Sequence, residues 1–313
     1  MVMQRALFII FGTLAGYALF GTFAVLGFAA VAVNLFTPLP AAYVGMRCGS
    51  AASIVTVALT ALFVLFASGQ ATMLMYLVQF GIPGAVLPWL LNRGVAWDKA
   101  TVIVLWAVVV VSLCGLFVVS TLSDQSLFMM TGELISKEVA QTTTVMQEMF
   151  AGADLPVEQQ KDVQLAVEKM AEFLLKAYPG ISIAVSGLMT LCLVFLLNVL
   201  ARGKYVVAGK DFQTWKAPEL LVWPLILAGF LVFFADGLSG TVALNLLVII
   251  LPVYFLQGLA VIDCFFRRKA FSPLFRAVGY LLVTLVNPLP LVVTGLGVFD
   301  LWADFRKPKE PES

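Results

Sequence analysis

Residues 101–122 read TVIVLWAVVVVSLCGLFVVSTL, 22 residues without a single charge. A bilayer core of ~30 Å needs about 20 such residues in a helix. A backbone surrounded by lipid must satisfy its own hydrogen bonds, which leaves helices or a closed barrel. A run this long without strict alternation reads as helix. Further apolar runs fall at 6–46, 50–67, 71–91, 179–201, 219–235, 241–266 and 277–303. The expected fold is an all-α, multi-pass membrane bundle of about eight spans, with nine or ten also allowed. Composition agrees. The chain is 61% hydrophobic and 12% charged, with a mean hydropathy of +1.01, against roughly 25% charged residues in soluble domains.

The breaks between runs carry nearly all the basic charge: Arg93 and Lys99; Arg202, Lys204, Lys210 and Lys216; Arg267, Arg268, Lys269 and Arg276; and Arg306, Lys307 and Lys309 at the end. The positive-inside rule puts these loops in the cytoplasm. The first run follows Arg5 and is longer than the 7–15 apolar residues of a cleaved signal peptide, so a retained membrane helix is expected.

Residues 123–178 differ, with nine acidic side chains against four lysines. Counting spans from the loop at 92–100 places this segment outside. It reads as two amphipathic helices, one burying Phe128, Ile135, Val139, Met146 and Phe150, the other Val163, Val167, Met170, Phe173 and Leu174. Residues Ala151 to Asp154 supply a break and Pro156 suits a first turn. The chain thus divides into N-terminal membrane helices (1–122), an acidic extracytoplasmic helical hairpin (123–178) and C-terminal membrane helices with a short tail (179–313). The hairpin either packs on the membrane part or contacts a partner protein.

Both ends allow two topologies. Residues 6–46 form one tilted helix, or two short spans joined near Gly21 to Gly27 that leave Arg5 and Arg47 on one side. The last run, about 40 Å as a helix, crosses once or dips in and returns at Asn287-Pro288-Leu289-Pro290. Leu35 to Pro40 with Gly45 echoes Leu285 to Pro290 with Gly295, either by chance or as the repeated broken helices of transporter sites.

Proline clusters at 37–40, 83–88 and 287–290 interrupt apolar runs. Proline lacks an N–H and its ring frees carbonyls in a preceding helical turn. Such carbonyls at membrane depth face protein or a wet cavity, so Pro38, Pro40 and Asn287 are candidate ligand-site residues, against a plain packed kink. Gln79, Asn198, Asn245, Gln257, Asp263 and Asp300 are polar groups inside apolar runs, where function is enriched. Asp263 lies four residues before Arg267, and Asn198 four before Arg202, so helical pairing accounts for both. Asn245, Gln257 and Asp300, with Arg47, complete the candidate ligand set; interhelical hydrogen bonding is the bland alternative. Gly12 and Gly16 form a small-xxx-small packing motif. Trp89, Trp97, Trp215, Trp223 and Trp302 fall near span ends, as in an aromatic belt.

Catalysis is not expected. The chain has no histidine, its four cysteines are scattered, and neither Gly203-Lys204 nor Gly209-Lys210 completes a phosphate-binding loop. Buried structural thiols are expected at Cys48, Cys114, Cys192 and Cys264. No cofactor, metal site or nucleic-acid partner is foreseen; the lipid bilayer is the one sure surrounding.

The order of several motifs resembles the YybS-like family of bacterial integral membrane proteins. They run from Pro38-Leu39-Pro40 and Arg47-Cys48-Gly49 through Pro179-Gly180, Asn198 with Arg202, and Phe212, Trp215 and Pro218. Asn245-Leu246-Leu247, Tyr254, Gln257 to Val261, Gly297, Asp300, Trp302 and Asp304 to Arg306 follow. The resemblance covers most of the chain and implies a multi-pass protein of a bacterial cytoplasmic (inner) membrane, with no particular activity. The N-terminal half is also similar, through its apolar helices and the Pro-Leu-Pro…Arg-x-Gly stretch, to substrate-binding membrane subunits of energy-coupling vitamin transporters. That likeness implies a small-molecule site; the acidic insertion and the extra C-terminal spans depart from it. A small-molecule-binding or transport-related protein is therefore the leading expectation, with a structural or assembly factor acting through 123–178 as the alternative.

Overall fold

In a computed structural model the chain is described over residues 2–26, 30–123, 126–151 and 157–307. The expected turn at Gly27, the break at 152–156 and the C-terminal Lys309 lie outside them, as do the side chains of Phe128, Met146 and Phe150. Every regular element described is helical: α1 (Val2–Leu26), α2 (Ala30–Asn34), α3 (Leu39–Cys48), α4 (Ser50–Tyr76), α5 (Ile82–Asn92), α6 (Trp97–Leu122), α7 (Leu127–Ala151), α8 (Val157–Ala201), α9 (Val222–Phe234), α10 (Gly237–Arg268), α11 (Pro273–Leu285) and α12 (Leu289–Ala303). The helical membrane bundle read from the sequence is the fold found.

Five helical stretches are long and apolar enough to cross a bilayer, and a sixth if the bent pair α11–α12 counts as one. The sequence suggests about eight for three reasons. It takes the two arms of Ser50–Asn92 separately, it includes the short Glu219–Phe234, and it counts the last run. The first of these has a geometric basis. Gly69, at φ 85° and ψ 177°, breaks α4, a conformation open only to glycine at low cost. The Ser53 hydroxyl before that break donates to the Gly84 carbonyl beyond it at 2.7 Å, so the two arms fold back against each other.

The chain forms two compact units. The first comprises Met1–Leu175 and Val185–Gly209, the second Lys176–Ala184 and Lys210–Ser313. In the first, α3 returns along α1. A Cβ on Gly12 would sit 2.8 Å from Val44 and 3.2 Å from Thr56, and one on Gly16 would lie 3.5 Å from Thr60. The small-residue pair thus brings α1 against α3 and α4. Residues 6–46 are a hairpin rather than one long helix, with Phe8 beside Tyr43 at 6.4 Å between ring centroids. The core behind it joins Ala42, Leu87, Leu91, Val104, Leu193 and Leu197. At about 25 cal/mol per Å² of apolar surface, and with lipid already solvating the outer faces, tight packing rather than water exclusion holds such helices together.

The amphipathic faces expected in 123–178 are met in part. Val139 and Val167 are buried, but Met170 and Phe173 are 43% and 42% exposed. Leu174 is sheltered as expected, and Ala171 takes a sheltered position that was not foreseen.

In the second unit, α10 and α12 pack most closely. Gly297 lies over Tyr254 and Gly258, and Gly258 against Val293, where a Cβ on either would strike backbone. Asp300 accepts from Gln257. Arg268, at the end of α10, donates to the backbone carbonyls of Arg306 and Lys307. Because the C-terminal end of α10 reaches the residues just after α12, while Tyr254 and Gly258 meet Val293 and Gly297 nearer the start of α12, the two helices run parallel. The chain leaves α10 at Arg268, enters α11 at Pro273 after four intervening residues and arrives back beside Arg268 after α12. The bend between α11 and α12 is 100°. Both ends of the last run thus lie together in this unit, the arrangement expected of a run that dips in and returns.

Candidate functional site

Gln257 and Asp300 come together; the other candidates do not join them. Asp300 has no exposed surface and neither has Gln257. The Asp300 carboxylate accepts from Gln257 Nε2 at 3.2 Å, from Arg306 Nη2 at 2.8 Å and from the Phe305 N–H at 3.1 Å. The Gln257 carbonyl oxygen accepts the Ala217 N–H at 2.9 Å. Arg306 Nη1 donates to the Gln213 and Trp215 carbonyls at 2.8 and 2.6 Å. Two buried helix side chains and one arginine thus tie the loop at 213–217 to the end of α12. A buried carboxylate is tolerated only when paired and hydrogen-bonded, and this one is. At the rim, Lys216 Nζ meets Asp304 at 2.9 Å and Lys307 meets it at 3.4 Å. The hydrogen bond from Lys216 holds the Asp304 carboxyl below the usual carboxylate range.

Asn245 has a different task. Pro179 interrupts α8, and next to it the Asn245 amide enters the helical ladder. Its Oδ1 accepts from the Gly180 N–H at 2.6 Å while its Nδ2 donates to the Lys176 carbonyl at 2.7 Å. Those two backbone groups are four residues apart and would otherwise bond each other. Asn245 and Gln257 therefore spend their polar atoms inside the protein, as interhelical hydrogen-bonding groups do.

Two of the three proline clusters begin helices rather than interrupt them. Pro38 caps α3 and Pro40 lies in its first turn, and Pro290 opens α12; in the third cluster Pro83 opens α5 but Pro88 lies inside it, and the Gly84 carbonyl four residues earlier accepts from Ser53. In a first turn the missing N–H has no helical partner to lose. The Pro38 carbonyl accepts from Ala42 N–H at 3.0 Å, and the Pro288 carbonyl from Leu291 N–H at 3.1 Å. The carbonyls before these prolines are in use as well, those of Asn34, Phe36 and Val286 accepting from the Thr37, Leu39 and Leu289 N–H groups, and Asn287 sits exposed in the turn before α12. The echo between 35–40 and 285–290 is real as local structure, since both open a helix at the same proline positions. It stops there. Gly45 packs against Pro88 and Ser53, whereas nothing lies within 4 Å of a Cβ on Gly295.

Arg47, at the end of α3, is the exception among the candidates. Its Nη1 is buried with no hydrogen-bond partner. The guanidinium lies 5.4 Å from the centroid of the Phe8 ring, within cation–π range. Tyr43 flanks Phe8, and Tyr205 lies 6.3 Å from Tyr43. The Tyr205 hydroxyl donates to the Leu197 carbonyl at 2.7 Å. Burial, with Tyr43 adding to it, pushes the Tyr205 hydroxyl up to about 12. This cluster is a cation with aromatic walls and one unused N–H.

The remaining polar groups are structural. Asp263 pairs with Arg267 at 3.2 Å, as four-residue spacing predicts, and also accepts from Tyr280 at 2.7 Å. Asn198 and Arg202 do not pair, because α8 ends at Ala201 and Arg202 has φ 41°. Gln79 sits in a π-turn at Leu77–Gly81 and donates to Ser186 at 3.3 Å. Trp223 and Trp302 are exposed as belt residues are, but Trp215 is 9% exposed and belongs to the loop tied down by Arg306. A depression of about 470 Å³ on α6, lined by Leu113, Cys114, Phe117 and Val118, is wholly apolar in character and offers no chemistry. Among the described residues, no three Cys, Asp or Glu side chains gather as a metal set. Sequence reasoning missed Arg306, Tyr205 and the tight contact of Gly258 with Val293; only the last left a trace, as glycines inside apolar helices.

A protein family described as a predicted membrane protein, DUF2232, matches residues 14–301. No curated protein and no solved structure matches the chain.

Proposed function

We propose, from the premise that this chain belongs to the DUF2232 family of predicted membrane proteins, that it binds a small anionic solute at Arg47 and is transport-related rather than catalytic. One observation carries this reading: Arg47 Nη1 is buried without an acceptor. Leaving a buried charged donor unmade costs about 1–3 kcal/mol or more. A carboxylate or phosphate oxygen supplies the missing acceptor, and a guanidinium binds such groups in a fork. The rings of Phe8, Tyr43 and Tyr205 give an apolar body a surface to stack on. The likeness of the N-terminal half to vitamin-binding transporter subunits, which includes Arg47, points the same way. The YybS-like order of motifs supports a bacterial cytoplasmic membrane. The basic loops support an orientation with those loops inside and 123–178 outside.

Thermal stability in detergent, measured with anionic and matched neutral solutes, tests this. A ligand at a hundred times its dissociation constant adds about 2.7 kcal/mol to the folded state. Stabilisation by an anion that is absent from Arg47→Gln supports the reading. No stabilisation by any anion, or equal stabilisation of Arg47→Gln, refutes it.

A second reading has its own observation. Met129, Leu134, Leu165, Met170 and Phe173 are exposed apolar side chains on an otherwise polar segment, as on surfaces that hold partner proteins. An assembly role predicts that Leu134→Ser with Leu165→Ser releases co-purifying proteins while solute binding at Arg47 is unchanged.

A further inference from the structure

Arg47 sits at one end of the first unit, among elements that begin or end in basic loops. Its guanidinium lies 5.4 Å from the ring of Phe8, near the start of α1 and three residues after Arg5. Tyr43 packs between Phe8 and Tyr205, and Tyr205 follows Lys204 in the loop after α8. Burial and Tyr43 raise the Tyr205 hydroxyl while the Arg47 charge opposes them, so the guanidinium is near that loop. Asn92, at the end of α5, donates to the Gly45 carbonyl at 3.0 Å, which holds Arg93 at the same level. The Trp97 N–H, at the start of α6, donates to the Ala208 carbonyl at 2.8 Å, and this brings Lys99 to the same end.

The two ends of this unit differ in charge. Arg5, Arg93, Lys99, Arg202 and Lys204 are exposed, and none has an ion-pair partner among the described residues. Asp98 is the one acidic residue within 1–8, 92–100 and 202–209. From there α6 runs 26 residues to Leu122, about 39 Å of helix. Beyond it lies the segment 123–178, with nine acidic side chains against four lysines. A summed field of this kind concentrates anions at the basic end and repels them from the acidic one. By the positive-inside rule the basic end is the cytoplasmic one.

We propose that the Arg47 site is loaded from the cytoplasm, its ligand a cytosolic anion gathered by Arg5, Lys99, Arg202 and Lys204. This rests on the reading of Arg47 as an anion site and adds the compartment that supplies the ligand. Tyr205 stands on the same basic loop, so a wall of the site is part of the face that the anion approaches.

Binding of radiolabelled phenylphosphonate, a membrane-impermeant phosphate analogue with one aromatic ring, tests the side of entry. Bound label is counted on membrane vesicles carrying the full chain, inside-out or right-side-out, sealed and then permeabilised, against vesicles without the protein. Inside-out vesicles should bind it whether sealed or not, and right-side-out vesicles only once permeabilised. Arg47→Gln should abolish binding in both. Lys99→Gln with Lys204→Gln should weaken it about tenfold at low ionic strength, by a margin that shrinks as salt rises. Lys137→Gln with Lys161→Gln, on the acidic segment, should not weaken it. Binding by sealed right-side-out vesicles at the level of inside-out ones overturns the proposal while leaving Arg47 an anion site. Equal affinity in the two lysine pairs overturns the part given to the basic end. No binding after permeabilisation also overturns the proposal. Binding that persists in Arg47→Gln refutes the reading of Arg47 itself. The melting temperature of each variant separates loss of fold from loss of binding.

Discussion

Replacing Asp300 by alanine removes the centre of the clamp in the second unit. The carboxylate is completely buried and accepts from Gln257, Arg306 and the Phe305 N–H. Its loss strands the Arg306 guanidinium, whose side chain is only 8% exposed, and leaves two further donors without an acceptor. Removing one partner of a buried pair costs about 3–5 kcal/mol. At roughly 2–4 °C per kcal/mol, the melting temperature should fall by about 10 °C. Thiol-reactive fluorescence reads this in a background that keeps Cys264 alone, since that cysteine lies half-buried in α10. Asp300→Leu combined with Arg306→Met should be less damaging than the sum of the single changes, because neither charge is then left unpaired. A melting temperature for Asp300→Ala within about 2 °C of the parent would refute the reasoning.

Asn245→Ala should cost about 2–3 kcal/mol, read as a lower melting temperature, because Gly180 N–H and the Lys176 carbonyl lose the amide that joins them; an unchanged value contradicts the insertion. Gly297→Leu should drive α10 and α12 apart where Gly297 meets Tyr254 and Gly258, and abolish recovery of folded, monodisperse protein in size-exclusion chromatography. Asp304 has a lowered pKa from its hydrogen bond to Lys216. The contribution of that contact is therefore present above the unfolded carboxylate pKa of about 3.9 and lost as pH falls through the folded value, so Asp304→Asn should flatten the acid limb of a stability–pH curve. Tyr205, raised to about 12 by burial, contributes below its unfolded pKa of about 10 and loses that contribution as pH rises through the folded value; ultraviolet titration should show one fewer late-ionising tyrosine in Tyr205→Phe.

Much of this architecture is legible from residues alone. Lipid makes helices obligatory, so apolar length read correctly along 101–122 and at both arms around Gly69. The Asp263–Arg267 pair follows from helical spacing. What escaped depends on which helices meet. Asn245 and Pro179 are 66 residues apart, and no local pattern says that one repairs the other. Arg306 lies beyond the last apolar run and looks like one more basic residue of a tail, yet its guanidinium closes the buried clamp. Proline clusters look alike whether they interrupt a helix, as Pro88 does in α5, or begin one, as at Leu39 and Leu289. Arg47 was legible as a residue but not as a donor left unused. The re-entry of the last run rests on α10 and α12 being parallel, a property of their contacts rather than of either sequence.

The direct measurement is sidedness of the C-terminal hairpin. Single cysteines at Lys269 and Lys307, placed in a chain lacking its four native cysteines, are labelled with a membrane-impermeant thiol reagent in sealed vesicles of known orientation. A re-entrant α11–α12 predicts that both label from one side, because Arg268 touches the backbone at 306 and 307. Labelling from opposite sides would mean that the last run crosses the bilayer, and the parallel packing of α10 and α12 would be wrong.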